Sequence, residues 1–241
     1  FKIFFVETSL KKLPKNNHPS EIYYDEQLEK INKSKDENFI PFISYPNILN
    51  TLKTYNNFKK NINFYDFGAN NLDLYLFLNK NFKNLTYYYY DQPHYNQVIE
   101  SIKNHSKFQN LIVDNELKVN CNDLDFVYFG SAIQYIDNYE EIITTFIKKK
   151  PKYIIIAQTP FFLVKNSQEN IIAKQLNLHP AINFLYIFNY ILFNDFMKKE
   201  KYVLTSNNIN RTIKFINFKN FSKKFEKIDM FDLVFKYDEK L

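Results

Sequence analysis

The sequence predicts an α/β fold: a mostly parallel sheet with helices on both faces, N-terminal helices ahead of it and a decorated C-terminal part. Three observations carry this. Apolar, β-prone runs alternate with amphipathic stretches across short loops between residues 62 and 157. The run Tyr153–Ala157 is continuously apolar, as a strand buried on both faces is. The only two glycines in 241 residues, Gly68 and Gly130, both stand at the C-terminal ends of predicted strands. That is the edge at which open α/β sheets bind ligands.

The elements follow in order. Lys2–Val6 reads as a short strand, and residues 11–19, polar with two prolines, as loop. Pro19-Ser20-Glu21 opens a helix to about Lys33, with acids early and lysines late. A second helix spans about Ser44 to Phe58, with Ile48, Leu49, Leu52 and Tyr55 on one face. Both are placed to cover the mouth of the sheet. Ile62–Phe67 is the first core strand, then a helix over Asn71–Phe82, a strand at Leu85–Tyr90 and a helix over Asn96–Lys107. Strands at Leu111–Val113 and Leu124–Phe129 follow, then a helix over Asp137–Lys149 with Asp137 as N-cap, stopped by Pro151. After the strand Tyr153–Ala157, Thr159-Pro160-Phe161-Phe162 is expected to leave the sheet. Ser167–Leu176 and Asn194–Lys199 read as helical. Tyr202–Ser206, Thr212–Phe218 and Asp232–Tyr237 read as strands, with a helix over 218–225 between the last two. The aromatic stripe Phe184, Tyr186, Phe188 and Tyr190 reads as core or a pocket lid. The organisation expected is an N-terminal helical cap over 1–60 and a sheet domain over 61–241, with an insertion around 160–200.

Composition narrows the function classes. Lys, Asn, Ile, Phe and Tyr dominate, Trp is absent, and Arg211 is the single arginine, a skew that follows A/T-rich codons. The net charge of +6 is carried by lysines interleaved with acids. Nucleic-acid recognition favours arginine forks, so this charge reads as a solvated surface. Cys121, the only cysteine, has no internal disulfide partner and fits a reducing, cytoplasmic setting. His18, His94, His105 and His179 stand far apart without zinc spacing, so no metal is expected. No apolar run reaches the length of a membrane span.

The chemistry gathers at the strand ends. Asp66-Phe67-Gly68 closes the first core strand, and Asp91 closes the second, 23 residues after Gly68. A turn after strand one and an acid after strand two form a nucleoside-binding arrangement, the acid accepting from ribose hydroxyls. A pyrophosphate would need further glycines for close backbone approach, but Ala69, Asn70 and Leu72 follow, and Asp73 adds negative charge. S-adenosylmethionine has no phosphate, and its positive charge suits Asp66. The residues therefore favour S-adenosylmethionine over a dinucleotide.

Four segments carry a family resemblance: Phe64-Tyr65-Asp66-Phe67-Gly68; Tyr90-Asp91-Gln92-Pro93-His94; Val127-Tyr128-Phe129-Gly130-Ser131-Ala132-Ile133-Gln134-Tyr135-Ile136; and Tyr153-Ile154-Ile155-Ile156-Ala157-Gln158-Thr159-Pro160-Phe161. In order and spacing they resemble a class I S-adenosylmethionine-dependent methyltransferase, of a small bacterial family associated with surface-polysaccharide gene clusters. The third segment is the most specific. The chain departs from that pattern in two places: Ala69 and other residues stand where further glycines are usual, and Ala157-Gln158 stands where Asp-Arg is common.

The resemblance implies a Rossmann-like methyltransferase sheet and a set of roles. Gly68 lets the chain pass close to the methionine part of the cofactor, with Asp66 and Asn70 nearby. Asp91 binds the ribose hydroxyls, and Asp114 or Asn115 sits near the adenine amino group. Gly130 and Ser131 line the floor under the sulfonium. Gln134, Tyr135 and Gln158 face the substrate, a small-molecule or sugar-derived acceptor. His94 and His179 are the candidate general bases, with Tyr135 the third catalytic candidate. The alternative is a fold-retaining, catalytically degenerate partner subunit. A nicotinamide-dependent sugar enzyme ranks below both, for want of a Gly-rich loop and a placed Tyr-x-x-x-Lys pair.

Overall fold

The computed structural model describes residues 2–7, 10–14, 23–34, 51–55, 61–106, 108–117, 123–164, 169–176, 182–210, 216–219 and 228–241. Their centre is a sheet in the order β4(Leu111–Val113)–β3(Leu85–Tyr90)–β2(Ile62–Phe67)–β5(Phe126–Gly130)–β6(Tyr153–Phe162)–β11(Ile228–Tyr237)–β9(Tyr202–Ile209). All pairings are parallel except those of β11, which runs antiparallel to both β6 and β9. The chain lays down β2, β3 and β4 outward, then returns to place β5 on the other side of β2. The topological switch point, where open α/β sheets form their ligand crevice, therefore lies between β2 and β5.

Strand alternation splits the core. One face of β2 and β5 presents Phe64, Phe126 and Tyr128 to α1(Tyr23–Ser34), α2(Asp73–Asn81) and α3(Pro93–Ser106). The other presents Tyr65, Phe67, Val127 and Phe129 to α4(Tyr139–Ile147) and α5(Tyr190–Lys199). The aromatic-rich composition is spent here. Phe64 stacks on Tyr87 at 5.5 Å, and Phe67 on Tyr90 at 5.2 Å. Buried phenols need partners, and these have them: Tyr65 donates to Asp114 at 2.8 Å, Tyr75 to Asn110 at 2.8 Å and Tyr202 to the Pro151 carbonyl at 2.8 Å.

The expected core strands are all present, and the larger corrections lie past residue 157. β6 does not end there: it continues through Pro160 to Phe162, pairing with β11 along its length and with β8(Ile182–Asn189) at Phe161 and Phe162. Gln158, at φ 48, breaks its direction opposite a register shift in β11. The missing N–H of Pro160 weakened the strand signal, but pairing along β11 overrides it. Ile171–Leu176 is not helical. It forms β7, antiparallel to β8 and to β1(Lys2–Val6), and β1 pairs in parallel with β10(Ile216–Lys219). The N-terminal segment thus contributes a strand as well as a helix.

Helix ends also moved. α3 starts at Pro93, where a missing N–H costs nothing, rather than at Asn96. α5 starts at Tyr190, because the Asn189 side chain caps it by accepting from Ile191 N–H and Leu192 N–H. α4 is preceded by Asn138 and has no side-chain cap; Asp137 instead accepts from Leu13 N–H at 3.0 Å and Tyr186 hydroxyl at 2.7 Å. Residues 51–55 are helical, but Tyr55 donates to Asp125 at 2.7 Å, at the start of β5. That is the edge opposite the glycine loops, so this part of the predicted cap does not cover the mouth. α1 does approach the glycine-loop edge, through Lys30 and Asp73 at 3.1 Å. The expected strand Thr212–Phe218 is present in its last residues as β10, its earlier part lying outside the described residues; the expected helix at 218–225 begins in β10 and otherwise also lies outside them. Among the described residues no helix is long and apolar enough to cross a membrane.

Candidate functional site

The loops after β2 and β5 meet at the switch point. Gly68 holds φ +66, and a Cβ built there would stand 2.5 Å from the Cβ of Ala132. Gly68 is thus required twice, for its backbone and for the contact between the two loops. Gly68 N–H and Ala69 N–H both donate to the Tyr90 carbonyl, at 2.8 and 3.2 Å, turning the loop across the end of β3. Asn70 holds φ 57, a left-handed conformation that Asn tolerates better than most residues. Its N–H donates to Asp91 Oδ2 at 2.6 Å. The loop thus keeps glycine-like backbone at position 70 with an asparagine in place.

Asp91 is therefore built into the loop. Its Oδ1 accepts from Gln92 N–H at 2.6 Å, its Oδ2 from Asn70. A carboxylate offers up to four acceptor positions, and a vicinal diol suits the outward ones. Asp114 closes β4, accepting from the Tyr65 hydroxyl at 2.8 Å and from Glu116 N–H at 3.4 Å. Asn96 ties the two strand ends together. Wholly buried, it accepts from Asp91 N–H and donates to the Asp114 carbonyl, each at 2.9 Å. Sequence reasoning missed Asn96, placing it only as the start of a helix. Its position five residues after Asp91, one helical turn into α3, is the signal that was available.

Asp66 lies deeper. It is 2 % exposed, its Oδ2 accepts from the Tyr87 hydroxyl, and its Oδ1 is buried without a hydrogen-bond partner among the described residues. Burial raises its pKa to about 8; the charge of Asp91 adds to the shift and the Tyr87 hydroxyl opposes it. An orphaned acceptor on a buried carboxyl fits a cationic or hydrogen-bond-donating ligand group. Asp73, expected to burden the loop with negative charge, is matched by Lys30. That pairing, with a further contribution from Glu26, raises the Lys30 pKa against the opposing effect of burial, which is the largest single one.

After β5 the backbone turns at Ser131, φ 57, whose N–H donates to the Ala157 carbonyl at 2.8 Å. Gly130 is glycine for a local reason: a Cβ there would overlap the ring of Tyr128, which folds back over it. Gln134 does not face outward. It is buried, donating to Ser131 Oγ at 3.0 Å and accepting from the Thr159 hydroxyl at 3.3 Å. It fixes the turn after β5 to β6. Tyr135, next in the 3-10 turn Ile133–Tyr135, donates to Gln175 Oε1 at 2.8 Å. Burial pushes its phenol up to about 12, against its hydrogen bonds with Gln134 and Gln175, so the hydroxyl stays protonated at neutral pH. Gln158 N–H donates to Asp232 Oδ1 at 2.9 Å, and Asn210 holds the same carboxylate. His94 sits in the first turn of α3 against Tyr95, with its Nε2 buried and lacking a hydrogen-bond partner among the described residues. His179 and Cys121 lie outside the described residues. Among the described residues no group of His, Cys, Asp and Glu could hold a metal ion.

The geometry thus brings Asp66, Gly68, Asn70, Asp91, Asp114, Gly130 and Ser131 to one sheet edge. No protein-family model matches the chain, and no curated protein matches it either. Solved structures do. The chain is similar to the 1,6-didemethyltoxoflavin-N1-methyltransferase of Burkholderia thailandensis, solved with 1,6-didemethyltoxoflavin and S-adenosylhomocysteine, at TM-score 0.53 and 9% identity over 94% of each chain. It is similar to the magnesium protoporphyrin IX methyltransferase of Synechocystis PCC 6803, solved with S-adenosylmethionine, at TM-score 0.51 and 7% identity over 92% of this chain and 87% of that one. An S-adenosylmethionine-dependent methyltransferase from Clostridium acetobutylicum gives TM-score 0.51 and 10% identity over 89% and 98%. At these identities the likeness is one of fold: a mixed α/β sheet flanked by helices, as in these neighbours.

Proposed function

We propose that this protein is an S-adenosylmethionine-dependent methyltransferase acting on a small-molecule or sugar-derived acceptor. The observation that carries the reading is the row of carboxyls running along the sheet edge from the switch point: Asp66, Asp91 and Asp114 at the ends of β2, β3 and β4, beside a loop with left-handed backbone at Gly68 and Asn70. Acids in these places suit a ligand with two diol hydroxyls, an ammonium and a sulfonium, and oppose a pyrophosphate. The orphaned Oδ1 of Asp66 is a further fit.

In this reading Asp91 takes the ribose hydroxyls, Asp114 faces the adenine, and Asp66 with the Gly68–Asn70 loop meets the amino-acid end. Bound there, the cofactor supplies an electrophilic methyl on a sulfonium. The protein's own contribution is placement and exclusion of water. Gly130 and Ser131 form the floor, held by the bond from Ser131 N–H to Ala157 and by Gln134. Tyr135 orients through its hydroxyl and leaves any proton removal to a histidine, His94 or His179. The neighbours solved with S-adenosylmethionine or its demethylated product support the cofactor assignment. A catalytically degenerate partner subunit is disfavoured by Asn70, which preserves the loop backbone that lost glycines would otherwise put in question.

Calorimetric titration with S-adenosylmethionine and S-adenosylhomocysteine tests the reading. Saturable one-to-one binding, weakened by Asp91→Ala, is expected; absence of binding to the intact protein contradicts it.

A further inference from the structure

Beyond the cofactor edge, β7 and β8 carry two buried amides side by side. Gln175 and Asn183 are register partners in the antiparallel pair, so both side chains stand on one face. They are 1 % and 5 % exposed. Between these amides and Asn189, which caps α5, the same face of β7 and β8 is apolar, with Ile171, Ala173, Leu185 and Ile187, and its side chains include no charge. The Tyr135 hydroxyl reaches Gln175 Oε1 at 2.8 Å, from the turn directly after Gly130 and Ser131. Asn183 Oδ1 is buried and, among the described residues, has no hydrogen-bond partner.

Two amides in an apolar strand face are costly to bury, and an acceptor atom without a donor is costlier still. Packing alone would favour leucine at 183. We propose that Tyr135, Gln175 and Asn183 form the wall that recognises the methyl acceptor, and that the acceptor group bound there is neutral and donates a hydrogen bond, a hydroxyl or an amide N–H, to Asn183 Oδ1. A carboxylate or phosphate would bring a full charge against neutral amides and apolar side chains, on a face whose own side chains offer no counter-charge, Lys174 lying on the opposite face of β7. The proposal rests on the methyltransferase reading for the reaction, but the wall's preference is a property of these side chains and is measured separately.

The test uses the full chain saturated with S-adenosylhomocysteine and probes taken in matched pairs: benzyl alcohol against benzoate, and methyl glucoside against glucuronate. The readout is the side-chain amide NMR signals of Asn183 and Gln175, assigned by their loss in Asn183→Leu and Gln175→Leu. A neutral member should shift both signals and its charged partner neither. Asn183→Leu should weaken that neutral probe about tenfold, the scale of one hydrogen bond, without changing the affinity for S-adenosylhomocysteine. Should Asn183→Leu fail to fold, Tyr135→Phe, which removes the hydroxyl on Gln175, should weaken the same probe. Charged members binding as well as neutral ones, or no neutral member moving either signal, overturns the proposal. Failure of S-adenosylhomocysteine to bind at all would instead count against the cofactor reading.

Discussion

Asn96 joins Asp91 to Asp114: one amide accepts the backbone N–H of the first and donates to the carbonyl of the second, both at 2.9 Å, in full burial. The ends of β3 and β4 are thereby held at a fixed offset by a side chain that touches neither carboxylate. Asn96→Ala is expected to weaken S-adenosylhomocysteine about tenfold, the scale of one or two neutral hydrogen bonds. The loss should fall on the nucleoside half, so that competition by adenosine weakens while competition by methionine does not. Asn96→Asp keeps the acceptor and loses the donor, and calorimetry should place it between the two.

Gly68 cannot be replaced without moving a loop. Gly68→Ala adds a Cβ at 2.5 Å from Ala132 in a left-handed backbone, and should destabilise the fold by about 2–4 kcal/mol from strain and overpacking together. Adding Ala132→Gly should recover part of the denaturation midpoint, because it relieves the contact but not the φ. Full recovery would show that backbone conformation contributes nothing there.

Asp66 should make the protein less stable as pH rises. Its folded-state pKa of about 8 stands above the ordinary 3.8, so the folded chain binds this proton more tightly. The stabilisation is complete below about pH 4 and is lost as pH climbs through about 8. Asp66→Asn keeps the shape without the titration. Urea midpoints measured at about pH 5.5 and about pH 8.5 should fall for the parent and fall less for the variant.

Lys30 and Asp73 tie α1 to the first turn of α2 beside the cofactor loop. The pair is partly exposed, so Lys30→Met should cost no more than about 1 kcal/mol, and raised salt should shrink the difference. A larger, salt-independent loss in thermal denaturation would assign Lys30 a packing role instead.

The core was legible because its signals are local. The runs at 62–67, 85–90 and 153–157 are too apolar for anything but buried strands, and the rare glycines marked the crevice. The reasons for those glycines were not legible. Gly130 answers to Tyr128, two residues back on the same face, and Gly68 to Ala132, 64 positions away. β7 was mistaken for a helix because its one polar pair, Lys174-Gln175, breaks strand alternation; Gln175 is buried against Tyr135, a contact that only the tertiary fold provides. Gln134 read as a substrate contact from its motif, yet its amide is used up inside the turn. Asp66, Asp91 and Asp114 were legible as strand-end residues because acids that follow apolar runs stand out. Asn96, a buried polar residue in a helix, looked like any solvated helix position in a chain this rich in asparagine.

The central claim is one of place, and a crystal of the full chain grown with S-adenosylhomocysteine tests it most directly. Density is expected with the ribose on Asp91, the adenine by Asp114, the amino-acid end at Asp66 and Gly68, and the sulfur above Gly130 and Ser131. Ligand density at another edge of the sheet, or none in crystals grown at saturating ligand, would contradict the account.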